Sequence, residues 1–401
     1  MIRSIFFFLI VFLPLLTLAQ VKVVEEHPDV EGVRYQKAIK KEKYNVAVIT
    51  PLYLDSVDLA NHLTHLPRPM QQGIDFLKGI EIAADTLNRL GVKLDIHVYD
   101  SKSDSLSVTQ LLRSKLLDST DLILGNLAGN DLTLVAEFAK LRHVEFVSAG
   151  SPADAGQEAN PYFTIIQPRL ISHIEKIHRS IHYRYPDDNV IFIYRDVPAE
   201  KNALSYFRND ILNPLPAKFK MLSLRDDSLD MSRLWVGAGI DTNKKTTIVL
   251  GILDPTLSYK LLKQLLPYAK QRGIKVYAMP TAESLKNLGK TDEFPTMPIY
   301  YTAPHFIDKI TPASLYISKE YRRLMGGYVT DIVYRGFESL YFFTGLMQKY
   351  GTPFYEHIGD NANPFITPYK IVPVKEKGTV KYYENKYLYI LRYENGILTY
   401  E

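Results

Sequence analysis

Asn45-Val46-Ala47-Val48-Ile49-Thr50 is followed by a long polar loop, a run of apolar residues at Ile74, Leu77, Ile80, Ala84, Leu87 and Leu90, and then Lys93 to Tyr99. The first stretch is apolar without alternation, which expects a parallel strand covered on both faces. The second recurs at helical spacing, so a helix opening near Gly73 is predicted, with Gly91 where a C-cap belongs. Lys93 to Tyr99 reads as a second strand. Tyr44 to Asp100 is therefore a β-α-β opening, and no phosphate-binding glycine fingerprint lies between its strand and helix. That points away from nucleotide chemistry.

The same alternation continues outward. A helix is expected near 106–117, a strand at Asp121–Leu124, a helix near 130–141 and a strand at Val144–Val147 that ends in the small polar loop Ser148 to Pro152. After Gln167-Pro168 a second series begins. It comprises a helix at about 170–184, a strand at Asn189–Tyr194, a helix at about 199–212, strands at Lys218–Leu222 and Thr246–Leu250, a helix over 256–271 and a strand at Ile274–Ala278. Two such series imply an α/β protein of two doubly wound parallel-sheet lobes. The remainder holds an extended Ile299–Thr302, helices at about 313–325 and 329–349, and a strand-like tail from Tyr369 to Tyr400 with a turn at Glu394-Asn395-Gly396.

The N-terminus is a different kind of segment. Arg3, the short apolar stretch Ile5 to Leu18 and the small-residue site Thr17-Leu18-Ala19 form a cleavable secretion signal over 1–19, too short to be a spanning helix. Residues 20–43, rich in Lys and Glu, read as a flexible leader. The expectation is an exported, periplasmic protein. The chain has no cysteine, which removes lipid modification of an N-terminal cysteine, thiol catalysis and zinc–thiolate sites. The formal net charge is +4 with both signs interspersed, so no nucleic-acid surface is expected. With 28 Tyr and 18 Phe, the chain has aromatic surface enough to pack a core without disulfides or to line a cleft.

Catalytic signatures are missing: there is no nucleophile elbow, no Walker loop and no His-Glu-x-x-His. His173, His178 and His182 share one predicted helix and invite a zinc reading, but a solvated helix face is the plainer one. The carboxylate pairs Asp187-Asp188 and Asp226-Asp227 read as solvated turns. The expectation is a protein that is not an enzyme, with no cofactor and no metal. Ligands of open α/β sheets lie beyond the carboxyl ends of the strands. Here those ends carry Leu52 and Tyr53, Gly125 and Asn126, Ser148, Ala149 and Ser151, then Asp196, Asp254 and Glu283. Hydroxyls and main-chain amides suit an anionic group, and Asp254 or Glu283 a cationic one, so a small polar, amino-acid-like ligand is expected.

The chain resembles the type 1 periplasmic binding proteins, in particular the branched-chain amino-acid (Leu/Ile/Val) binding group of ABC importers. The resemblance is carried by Val46 to Leu52, by Gly73 with Gly79-Ile80-Glu81-Ile82-Ala83, by Val98-Tyr99-Asp100, by Phe146 to Pro152 and by Tyr334-Arg335-Gly336-Phe337-Glu338. It implies a hinge of three crossovers, a first lobe of 44–166 plus 303–365 and a second of 167–302 plus 366–401. It further implies capture of ligand by hinge closure, with an ABC permease or another envelope protein as partner. Ser148, Ala149 and Ser151 would grip a carboxylate, Gly125-Asn126 would add contacts, and Leu253-Asp254 and Glu283 would face an ammonium. Departures stand beside these matches. The loop from Leu54 to Gln72 is longer than usual, Leu127-Ala128 replaces an expected hydroxyl, and Arg335 interrupts the late-helix motif. They leave open a second use of the fold, as an envelope interaction or scaffold protein.

Overall fold

The computed structural model describes residues 38–56, 67–209, 219–225, 227–237, 243–290, 293–360 and 365–401. The proposed signal over 1–19, residues 20–37 of the 20–43 leader, residues 57–66 of the Leu54–Gln72 loop and Asp226 lie outside them. The first series runs β1 (Lys43–Thr50), α1 (Arg68–Arg89), β2 (Lys93–Asp100), α2 (Val108–Arg113), β3 (Leu122–Gly125), α3 (Gly129–Arg142), β4 (Glu145–Ser148) and β5 (Phe163–Ile165). The second runs α4 (Leu170–Arg184), β6 (Asn189–Tyr194), α5 (Pro198–Arg208), β7 (Phe219–Ser223), β8 (Thr246–Leu250), α6 (Pro255–Leu265), α7 (Ala269–Arg272), β9 (Ile274–Ala278) and β10 (Ile299–Ala303). The chain closes with α8 (Pro312–Met325), α9 (Asp331–Tyr350), β11 (Ile371–Glu376), β12 (Thr379–Asn385), β13 (Tyr389–Glu394) and β14 (Ile397–Tyr400).

Two seven-stranded sheets result, ordered β11-β12-β5-β4-β3-β1-β2 and β14-β13-β10-β9-β8-β6-β7. In each, five consecutive strands of one series are parallel in the doubly wound order 2-1-3-4-5, with antiparallel pairing, among the described residues, confined to the β11–β12 and β13 edges. The reason is in the side chains. Val46 and Val48 pack into one apolar cluster while Ala47 and Ile49 enter the cluster on the opposite face. Ile191 and Ile193 likewise oppose Val190 and Phe192 in the second sheet. A strand apolar at every position can bury both faces only beneath helices on both sides.

Helix α1 covers the first sheet through Phe76, Ile80 and Leu87, and it packs against α9 at unusually close range. Glycines permit this. A Cβ on Gly79 would stand 2.0 Å from the Val333 carbonyl oxygen, and one on Gly336 would stand 2.2 Å from that of Phe76. Gly73 is held as tightly, 1.8 Å from the Pro51 carbonyl oxygen by the same measure. Gly79 and Gly336, quoted for the resemblance, thus sit at the point where two helix backbones meet. Asp75 completes the joint, buried and accepting hydrogen bonds from Tyr321 Oη at 2.7 Å and Thr330 Oγ1 at 2.8 Å.

Several expectations change. The tail 366–401 does not return whole to the second sheet: β11 and β12 join the first, and only β13 and β14 join the second. β12 pairs in parallel with β5, whose three residues are too short for a visible periodicity. Helix α1 begins at Arg68 rather than Gly73, with Pro at its first turn. The end of the supposed leader is anchored, since Ile39 exchanges backbone hydrogen bonds with Thr352 at 2.9 and 3.0 Å and Lys41 pairs with Asp121 at 2.6 Å. The histidine helix is not a solvated face. His173 is buried against Thr302 Oγ1 at 2.8 Å, with its pKa pushed down to about 4 by desolvation, and His178 stacks on Phe207. Asp188 is also no solvated turn: it is buried, accepts from Thr247 Oγ1 at 2.7 Å and pairs with Lys275.

Candidate functional site

Three passages connect the sheets: β5 to α4, β10 to α8, and β12 to β13. They are laced together by buried polar groups. Glu384, buried at the end of β12, accepts from the Arg169 amide at 2.9 Å and from Ser172 Oγ at 2.6 Å, and it pairs with Lys386 at 3.1 Å. Asn385 donates its side-chain amide to the Ile166 carbonyl at 3.2 Å. Side chains thus tie the first of these passages to the third.

A recess of about 350 Å³, counting its open mouth, lies against these passages. Gln167, His305 and Asn385 come from the three crossings, and Asp331, Arg335 and Glu338 from one face of α9. Glu338 is buried and accepts from the Ile366 and Thr367 amides at 2.7 and 3.3 Å, while desolvation pushes its pKa up to about 7. Arg335 Nε is buried and has no hydrogen-bond partner among the described residues, and burial lowers the pKa of the guanidinium. Glu283, in the turn after β9, stands 3.9 Å from His305 Nε2. Desolvation first, then Asp331, raises the Glu283 pKa, moderated by solvent because 44% of the side chain is exposed. Desolvation, then Arg335, depresses His305 to about 3, so its imidazole is neutral at physiological pH. The recess therefore presents the unpartnered Nε of a guanidinium beside acidic groups and an imidazole.

Of the strand-end residues singled out from sequence, Glu283 lies beside the recess, 3.9 Å from His305, and the others make contacts within the chain. The Leu52 amide donates to Asp100 at 2.8 Å, and Tyr53 adopts a positive φ of 55°. Gly125 packs against the Phe146 ring, Asn126 donates to Thr50 Oγ1 at 3.3 Å, and the Ala149 amide bonds the Gly125 carbonyl at 2.8 Å. Ser148 Oγ donates to the Ser151 carbonyl at 3.3 Å, and Ser151 Oγ accepts from the Ala153 amide at 3.2 Å. Asp196 is exposed and pairs with Lys201 at 2.8 Å. Asp254 caps α6, accepting from the Thr256 and Leu257 amides at 2.8 and 3.1 Å. At the switch point of the second sheet, buried Glu200 accepts from the amides of both Arg195, at 2.8 Å, and Leu253, at 3.1 Å. A carboxylate of the chain itself thus takes the amides that an anionic ligand group would use there. Sequence reasoning reached Arg335 only as a departure from the family pattern. That interruption and Glu283 were the sequence signals near the recess, because its other walls come from distant crossings.

No family model and no curated protein matches the sequence. Solved structures do match. A protein described as a branched-chain amino acid ABC transporter from Rhodospirillum rubrum superposes with a TM-score of 0.67 at 12% identity, covering 89% of this chain and 99% of its own. An ABC transporter substrate-binding protein from Desulfitobacterium hafniense, in complex with Leu, gives 0.55 at 13%, covering 90% and 100%. LpoA from Haemophilus influenzae gives 0.60 at 12%, covering 90% of this chain but 59% of its own. At such identities the likeness is one of fold. The chain has the type 1 periplasmic-binding-protein fold.

Proposed function

We propose that this chain is an exported, non-enzymatic solute-binding protein that captures a small polar, amino-acid-like ligand between its lobes by hinge closure, for ABC-type uptake or sensing. The observation that carries the reading is the recess at the crossings. There the unpartnered Arg335 Nε offers a donor for a carboxylate, and Asp331, with Glu283 beside the recess 3.9 Å from His305, offers acceptors for an ammonium. A ligand that touches groups from both sheets favours the closed arrangement by its differential contacts. A thermal-shift screen with amino acids, short peptides and sugars tests this, because ligand bound only to the native state raises Tm by mass action. Arg335→Met should abolish the shift produced by any carboxylate-bearing hit. A shift that survives Arg335→Met places the ligand elsewhere.

A second reading has its own observation. Asp100 and Glu200 already hold the strand-end amides of Leu52, Arg195 and Leu253, so the chain has closed part of the usual ligand surface from within. That suits an envelope interaction or scaffold protein of the same fold. No Tm shift with any solute, together with recovery of an envelope partner on affinity capture, would favour it over uptake.

A further inference from the structure

We propose that Glu283, His305 and Asp331 form a divalent transition-metal site whose open coordination position, facing Arg335, takes a small anion. The ligand atoms of these three residues lie within 4.8 Å of one another, and among the described residues they form the one such group. A zinc-type ion bound at about 2.0–2.2 Å needs its ligands a little over 3 Å apart, so the set must close by about 1 Å. The donors are carried on three separate segments: the turn Pro280–Ser284, the loop after β10, and the first residue of α9. Because α9 is packed on α1 over the first sheet while β9 and β10 belong to the second, the ion would tie one lobe to the other.

The chemistry of the donors fits. Two carboxylates and one imidazole are a frequent nitrogen–oxygen set for such ions, and three protein ligands leave a fourth position free. The independent observation is Arg335, one helical turn from Asp331 on the same face of α9. Its buried Nε lines the same recess without a partner. Glu338, in the same recess, is already held by the Ile366 and Thr367 amides, so the Arg335 Nε is the donor left for an anion seated at the open position. An ion held by Glu283 and Asp331 takes the acceptors that an ammonium would use, so the metal and an amino-acid-like solute are alternative occupants of these groups.

Co²⁺ and Zn²⁺, added as chlorides to the tag-free full chain, test it. We expect one equivalent of Co²⁺ to bind with the visible absorption of a low-coordinate site, to be displaced by Zn²⁺, and to shift its spectrum when azide is added as the anion probe. His305→Gln and Asp331→Asn should each lose the stoichiometric binding while melting, metal-free, like the parent chain. His97→Gln, which removes an exposed imidazole paired with Asp95, should keep it. Arg335→Gln should keep Co²⁺ but lose the azide response. Absence of stoichiometric binding in the parent chain, or binding that survives both His305→Gln and Asp331→Asn, overturns the metal site. A spectrum that azide does not move overturns the anion position. A solute shift in the thermal screen without any metal binding would sink this inference and leave the solute reading standing.

Discussion

Glu145 opens β4 and is buried with one carboxylate oxygen accepting from the Phe354 amide at 2.9 Å and the other without a partner. Desolvation raises its pKa to about 8, against two backbone hydrogen bonds that pull it down. Between the ordinary value of 4.5 and about 8 the folded chain retains a proton that the unfolded chain has released. Stability conferred by the neutral form is therefore full at low pH and is lost as pH rises through that window. Glu145→Gln keeps the acceptor for Phe354 and removes the charge. It should raise Tm by roughly 2 °C or more above the upper end of the window, corresponding to on the order of 1 kcal/mol, and change little below pH 4.5. Melting curves across pH check this; an equal shift at both ends would mean that charge is not the cause. None of it was legible in the sequence, where Glu145 was one residue in an otherwise apolar strand.

Among elements, the α1–α9 joint shows how closely a helix pair can approach when glycines face one another. Gly336→Ala would drive a methyl group to 2.2 Å from the Phe76 carbonyl oxygen, and Gly79→Ala to 2.0 Å from that of Val333. Backbone must move to relieve either, at a cost of about 1–3 kcal/mol or more. Each variant should lower the denaturation midpoint. Gly326→Ala lies where the added Cβ meets nothing but φ is +73°, so its cost is confined to the αL strain of a helix C-cap and should be smaller. Equal losses for Gly326→Ala and Gly336→Ala in urea titration would argue against the joint. Helix spacing, the apolar strands and Gly91 at the end of α1 were all readable from the chain, because local periodicity and backbone permissiveness are properties of neighbouring residues. The three-residue β5 was not, because its neighbours β4 and β12 lie far apart in sequence.

At the scale of the molecule, Glu384 links two of the crossings between the sheets. Glu384→Ala leaves the Arg169 amide and Ser172 Oγ without their acceptor, at a cost of about 1–3 kcal/mol. The expected outcome is a lower Tm and a broader distribution of lobe separations, read by small-angle scattering. A variant that melts lower but scatters like the parent chain would confine Glu384 to stability.

Composition and periodicity alone settle that this is an α/β chain of two doubly wound sheets, because a strand apolar at every position must be covered on both faces. They also exclude thiol chemistry, since the chain has no cysteine. They could not show which strand-end groups are free. Leu52, Arg195 and Leu253 look available until Asp100 and Glu200 are seen to hold their amides. Nor could they join Glu283, His305, Asp331 and Arg335, which meet only where separate passages of the chain cross. Local order follows from residues near in sequence, whereas a site is assembled from residues distant in it. Here only the folded arrangement leaves Arg335 Nε without a partner.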